Sequence, residues 1–458
     1  MNSTLSAPLA RLPGGWATDV RVTLGADGRI ETVETGAPPR SGDTPLTGQA
    51  LLPAPSNLHS HAFQRAMAGR AERRGPGADS FWTWREQMYR FLAVLDPDAV
   101  EAIAALAQME MLEAGYGAVA EFHYLHHQPG GHPYADPAEL ARRVMAAAET
   151  TGIGLTLLPV LYSRAGLDGR PLEDGQRRFG HDLDGFLDLL ASLDTAMAAA
   201  PADWRLGAAP HSLRAVAVDD LVRLTEARPD GPLHIHVAEQ VREVEDVTEA
   251  LGAPPVTILL ERVGLGPRWC AVHATHMTPV ETAALAATGA VAGLCPITEA
   301  NLGDGLFPAD AFLKAGGRIG VGTDSNIRIA LWEELRTLEY GQRLRDRART
   351  VLAERGGSTG ARLFGAVLAG GAQALDRMSG AVAPGHWADL LAVDLDHPAL
   401  IGLEPETLLD GLLVAGDAAQ VRAVWSAGRA VVRDGRHIAR DAIVERYRAT
   451  MARLREAV

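Results

Sequence analysis

Between residues 50 and 330, short runs rich in Val, Ile and Leu alternate at a regular pace with segments of helical periodicity, the signature of repeated βα units. The strand-like runs cover 50–59, 118–124, 154–161, 205–210, 233–237, 269–273, 291–295 and 318–323. Eight parallel strands alternating with helices are the number that closes a barrel. The expected fold class is therefore α/β, a (β/α)8 TIM-type barrel. Helix punctuation agrees: Asp96-Pro97 opens a run that stops at Gly115, and Thr278-Pro279 opens another that stops at Gly289.

The chain has 458 residues, more than one barrel needs. Residues 18–48 read as short alternating strands with a turn at Ala26-Asp27-Gly28. Residues 380–437 repeat that style, with alternation over 421–432 before Asp434-Gly435. The expected division is a barrel over 49–375 and one small β-sandwich domain made from both chain ends, 1–48 and 376–458, the latter closing with a helix. Residues 65–96 separate the first strand from its helix and read as a long loop over the barrel mouth. It carries the aromatic stretch Phe81-Trp82-Thr83-Trp84, and loops of this length in compact domains are usually functional.

A formal net charge of -14, without any Lys/Arg run, excludes nucleic acid and anionic membranes as expected partners. An acidic substrate must then be met by local arginines. Cys270 and Cys295 lie in apolar segments without CxxC spacing, as free thiols in a reducing compartment do. Residues 1–16 lack a basic segment followed by an apolar core, and no apolar run is long enough to span a bilayer. A cytoplasmic protein is expected, and a homodimer, as is common for barrels with exposed helical layers.

Titratable residues collect where the strands end. In Asn57-Leu58-His59-Ser60-His61, two histidines at i and i+2 of a strand end point to the same side, and two convergent imidazoles suit a divalent metal. Strand five ends in His234-Ile235-His236-Val237-Ala238-Glu239, strand six in His273-Ala274-Thr275-His276, and strand eight in Gly322-Thr323-Asp324-Ser325. That is the face on which barrel enzymes build their sites, whereas ordinary core histidines would scatter over both ends.

This pattern resembles the amidohydrolase superfamily, whose motif is HxH after strand one, His after strands five and six, and Asp after strand eight. The resemblance implies that His59, His61, His236 and Asp324 are metal ligands. Three nitrogens and a carboxylate with an open position suit catalytic Zn²⁺, and iron or manganese fits the same donors. His234 and His276 are expected to serve neighbouring groups instead. Many members hold two metals bridged by a carboxylated lysine after strand four. Here strand four ends at Ala209-Pro210-His211 and the sole lysine is Lys314, so one metal is expected.

Mononuclear members with a glutamate three residues after the strand-five histidine resemble deaminases, and Glu239 holds that place. The resemblance implies a metal-activated water attacking a C=N carbon, Asp324 accepting its proton, His273 orienting the nucleophile and Glu239 protonating the departing nitrogen. The stretches 57–69 and 81–91 and His211-Ser212-Leu213-Arg214 further resemble the formimidoylglutamate deiminases, enzymes of histidine breakdown. That likeness implies N-formimino-L-glutamate, a dicarboxylate, as substrate. Arg85 and Arg214 would meet its carboxylates, with Gln64, Tyr124 and His211 as further contacts. Arg65, Arg90, Trp82 and Trp84 stay unassigned. Three other readings stay open: an aminohydrolase of nucleobases, nucleosides or triazines, a barrel without catalysis, and a binuclear amidase or lactonase.

Overall fold

The computed structural model of the protein describes residues 3–73 and 81–457. Eight parallel strands enclose the barrel in chain order: Ser56–Ser60, Ala118–His123, Gly154–Leu161, the pair Arg205–Leu206 and Ala209–Pro210, Leu233–Val237, Trp269–His273, Val291–Leu294 and Arg318–Val321. Strands two, three, five and six are buried along their whole length, as parallel strands covered on both faces are. Strands one to four and five to eight form two ladders, joined by the parallel bridges Ala208↔Leu233 and Ser60↔Asp324. The ring is thus closed, with no edge left open.

Two strand expectations need correction. The run 50–59 is two elements: Gln49–Pro53 belongs to another sheet, and only Ser56–Ser60 enters the barrel. Pro53 and Pro55 flank the change of direction. The fourth run is broken at Gly207, where a Cβ would sit 2.5 Å from the Pro232 carbonyl oxygen.

The chain ends share a nine-stranded sheet. Its order is Arg436–His437, Arg429–Arg433, Val421–Ser426, Leu390–Asp394, Gln49–Pro53, Ser3–Leu12, Gly15–Leu24 and Ile30–Glu34, with Thr44–Pro45 beside Ser3–Leu12. Hydrogen bonding runs through all nine strands as one sheet, around an apolar cluster that includes Leu5, Val20, Val22, Leu24, Leu390 and Trp425. Ser3–Leu12 is a strand that the sequence reading began too late to include.

Helix boundaries follow their caps. Asp96 accepts from Ala99 N–H at 2.8 Å and Pro97 starts the helix Pro97–Glu113. Thr278 and Glu281 form a capping box for Pro279–Thr288, which ends at left-handed Gly289. The expected loop over 65–96 instead begins within a 3-10 turn, Ala62–Met67, and contains a helix, Phe81–Leu92, which buries Phe81, Met88, Phe91 and Leu92. Apolar residues at 81, 84, 88 and 91 have helical spacing, masked by three aromatics in four residues. Residues 74–80 of that segment lie outside the described residues. Among the described residues, no helix is long and apolar enough to cross a membrane.

A buried ion network ties the end sheet to the barrel. Arg377 donates to both carboxylate oxygens of Asp389, at 2.6 and 2.9 Å, and to Asp203 Oδ2 at 3.1 Å. Asp203 also accepts from Arg429 at 2.7 and 2.9 Å. Arg377, Asp203 and Asp389 have side chains no more than 2% exposed. Removing one partner of such a network strands an unpaired buried charge, at a cost of about 3–5 kcal/mol. Arg377→Ala should therefore lower the unfolding free energy by that amount in denaturant titration, and a loss below about 1 kcal/mol would contradict this role.

Candidate active site

The seam between strands one and eight places the metal-binding motif. Asp324 N–H donates to the His59 carbonyl at 2.9 Å, and His61 N–H donates to the Asp324 carbonyl at 2.8 Å. Below them, Asn57 donates to Thr323 Oγ1 at 2.7 Å and accepts from Thr323 N–H at 3.1 Å. Asn326 Nδ2 completes the buried net by donating to Ser60 Oγ at 3.1 Å. The backbones approach so closely that a Cβ on Gly322 would lie 2.7 Å from both the nitrogen and the oxygen of His59. Only glycine fits there.

Four donor atoms converge on this seam. His59 Nε2 lies 3.2 Å from His61 Nε2 and 3.1 Å from His236 Nε2, and Asp324 Oδ1 lies 3.2 Å from His61 Nε2 and 3.5 Å from His59 Nε2. His61 Nδ1 and His236 Nδ1 donate to the carbonyls of Phe122 and His211, at 3.0 and 3.2 Å. Their Nε2 atoms are therefore bare lone pairs facing one another. Burial pushes all three imidazoles below the ordinary histidine range, His59 to about 3, which keeps them unprotonated. Burial alone would raise Asp324, but the surrounding histidines outweigh it and hold its carboxyl well below the usual range. Lone pairs and an anion packed this tightly call for a shared cation. For donors at about 2.0–2.2 Å from one ion, tetrahedral geometry implies separations near about 3.4 Å, which the observed spacings match. These four residues form a metal-binding group.

All the other candidates gather beside it. His61, Gln64, Arg85, Tyr124, His211, Arg214, His236, Glu239, His273 and Asp324 line one cavity at the C-terminal ends of the strands. His59 is sealed beneath it. Glu239 follows strand five in a turn that the Glu243 carboxylate holds by accepting from Ala238 N–H and Glu239 N–H, at 3.1 and 3.0 Å. Burial pushes the Glu239 carboxyl up to about 7, a value suited to proton transfer near neutrality. His273 Nε2 lies 3.7 Å from Glu239 Oε1. Burial disfavours its cationic form, but Glu239, Glu299 and Asp324 outweigh that and raise it to about 10. Non-glycine residues in the left-handed region cluster here: Ala238 at φ 51°, His273 at 67°, Ala274 at 48° and Asp324 at 45°. Such strain persists only where surrounding contacts over-determine the backbone.

The far wall is cationic and aromatic. Among the described residues no carboxylate forms an ion pair with Arg85 or Arg214, and Arg214 Nε is buried without a partner. Their guanidinium carbons lie 4.7 and 5.7 Å from the ring centre of Trp82, which bridges the pair. Gln64 Nε2 donates to Tyr124 Oη at 2.8 Å, leaving Gln64 Oε1 buried and unpaired. His211 Nδ1 contacts Ser212 Oγ at 3.0 Å.

Of the unassigned residues, Trp84 lines the cavity, Arg65 pairs with Glu110 at 2.5 Å, and Arg90 is exposed. His234 bonds the Ala374 carbonyl at 2.8 Å and His276 that of Asp304 at 2.7 Å, so neither joins the cluster. Sequence reasoning missed Met88, Tyr89, Tyr162, Phe179 and Leu302 in the cavity wall, and Glu299 behind His273. Glu299 had one available signal, a carboxylate just beyond strand seven in Cys295-Pro296-Ile297-Thr298-Glu299.

Comparison with known proteins places this geometry. The model of the amidohydrolase family matches residues 50–431. The chain belongs to the amidohydrolase family. Within that family, residues 4–46 match the domain described as "Formimidoylglutamate deiminase HutF, N-terminal domain". The chain is 52% identical to the formimidoylglutamate deiminase of Pseudomonas aeruginosa, covering 95% of this chain and 96% of that one. A solved amidohydrolase from Brucella melitensis superposes with a TM-score of 0.93 at 46% identity, over 99% of both chains. A zinc-bound adenosine deaminase from Xanthomonas campestris shares the fold, with a TM-score of 0.83 at 24% identity over 99% of this chain and 98% of that one.

The close approach at Gly322 makes a specific demand. Gly322→Ala should cost about 1–3 kcal/mol by overpacking and, because it pushes strand one from strand eight, should also weaken metal retention during dialysis. Unchanged metal retention in a destabilised variant would separate the seam from the site.

Proposed function

We propose that the protein hydrolyses N-formimino-L-glutamate to N-formyl-L-glutamate and ammonia, a deimination at a C–N bond in histidine degradation. The kinship with the Pseudomonas aeruginosa deiminase supports the reaction. What supports the substrate within the site is the pair Arg85 and Arg214, without carboxylate partners among the described residues, lining the same cavity as the three-histidine, one-aspartate group.

In this reading His59, His61, His236 and Asp324 hold one divalent ion, and three nitrogens with one carboxylate oxygen favour zinc. When bound, the ion supplies the Lewis acidity that makes water a competent nucleophile near neutral pH. Asp324, ionised throughout, accepts the proton that water gives up as its oxygen attacks the formimino carbon. His273 donates a hydrogen bond through Nε2 to the oxygen as it gains charge. Glu239, with its carboxyl near neutrality, protonates the terminal nitrogen as the C=N bond becomes single; the proton taken up by Asp324 then passes to the same nitrogen, the hydroxyl proton of the adduct returns to Glu239, and the C–N bond breaks with ammonia as leaving group. The oxygen stays on carbon as the formyl carbonyl. Arg85 and Arg214 clamp the two carboxylates, while Gln64, Tyr124 and His211 orient the chain between them.

Purified, zinc-loaded protein should release ammonia from N-formimino-L-glutamate and not from cytosine, guanine or adenosine. Each charge-assisted contact to a carboxylate is worth about 1.5–3 kcal/mol, so Arg214→Ala should raise KM about tenfold to a hundredfold. An unchanged KM in that variant, or faster release from a nucleobase, would sink the diacid reading.

A further inference from the structure

His273 is held from behind by a group to which the reaction scheme gives no part. Glu299 sits in the short helix Pro296–Leu302 that follows barrel strand seven, and it is buried. Its Oε1 accepts from Cys295 N–H at 2.9 Å and lies 3.2 Å from His273 Nδ1. A carboxylate oxygen can only accept, so Nδ1 carries the hydrogen and donates it. That leaves Nε2 as the nitrogen facing the cavity, toward Glu239.

The support is itself anchored. Thr298, the preceding residue, meets Ser325 Oγ at 2.8 Å and donates to the Thr323 carbonyl at 3.3 Å, beside Asp324. The position of Glu299 is thereby referred to the end of strand eight. His273 has a left-handed backbone, φ 67°, a conformation that surrounding contacts must hold. Its ring lies almost parallel to that of His236, at 17° with centroids 5.5 Å apart, a contact that leaves a half-turn about Cβ–Cγ open. The hydrogen bond from Nδ1 to Glu299 distinguishes the two ring orientations at contact distance, and the approach of Nε2 to Glu239 Oε1, at 3.7 Å, is too long for a hydrogen bond.

We propose that Glu299 is a positioning residue for His273: it fixes the ring orientation and the Nδ1–H, and so presents Nε2 to the reacting centre. The kinetic part of this inference rests on the proposed deimination, whereas the hydrogen bond does not. Glutamine at 299 keeps an oxygen able to accept from both N–H groups, and leucine removes it at similar size. An imidazole N–H proton shifted downfield and protected from exchange should appear in the spectrum of the wild-type protein. It should be absent from His273→Asn and Glu299→Leu and present in Glu299→Gln. With N-formimino-L-glutamate, Glu299→Leu should lose about a hundredfold in kcat with KM within twofold of wild type and metal content unchanged, and Glu299→Gln should recover most of that loss. Survival of the proton signal in Glu299→Leu overturns the inference. So does wild-type kcat in that variant, or equal losses with leucine and glutamine. A wild-type protein silent on this substrate would overturn the deimination reading instead, while the spectra still decide the bond.

Discussion

The barrel closes at one seam, and the metal-binding group lies on it. Asp324 contributes its N–H and carbonyl to the ladder with His59 and His61, while its carboxylate points at their imidazoles. Ring closure and ligand convergence are therefore the same event. Asn57, Thr323 and Asn326 supply the buried polar net that holds the two strands in register, and Gly322 supplies the room. Strand five, across the barrel, contributes His236, whose Nδ1 is tied to the His211 carbonyl after strand four. His61 and His236 are each aimed by a backbone carbonyl rather than by another mobile side chain, which is how a barrel makes a rigid site from separate strands.

Around this group the electrostatics divide the cavity. On one side, buried carboxylates and imidazoles sit close enough to move each other's protonation: Glu239 is pushed up to about 7 and His273 to about 10. On the other, Arg85 and Arg214 flank Trp82 and stay unpaired among the described residues. An acidic protein of net charge -14 can still receive a dianion, because screening confines the field of its surface charges to about 8–10 Å while the half-buried guanidinium groups of the cavity act at contact.

The parts of this site legible in the sequence are those set by local periodicity. His59 and His61 share a side because strand residues alternate, while Asp324 and His236 stand among the titratable residues at strand ends and are singled out as ligands by the resemblance to the amidohydrolase superfamily. The parts that were not legible depend on tertiary contacts. Glu299 matters only because a short helix folds back against strand six, and Trp82 only because Arg214, more than a hundred residues later in the chain, comes beside it. The segment 81–92 reads as loop in the sequence because its aromatic density hides a helical spacing. The strand Ser3–Leu12 escaped because its partners Gly15–Leu24 and Gln49–Pro53 are needed to bury it.

The central claim is that four buried donors on the closing seam share one cation. X-ray absorption at the metal edge, with metal analysis of the same sample, tests it most directly. The account predicts one metal per chain, in a shell of nitrogen and oxygen donors at about 2.0–2.2 Å with the multiple scattering of imidazole, and loss of that signal in His236→Ala. Two tightly held metals per chain, a sulfur-containing shell from Cys295, or full metal content in His236→Ala would contradict it.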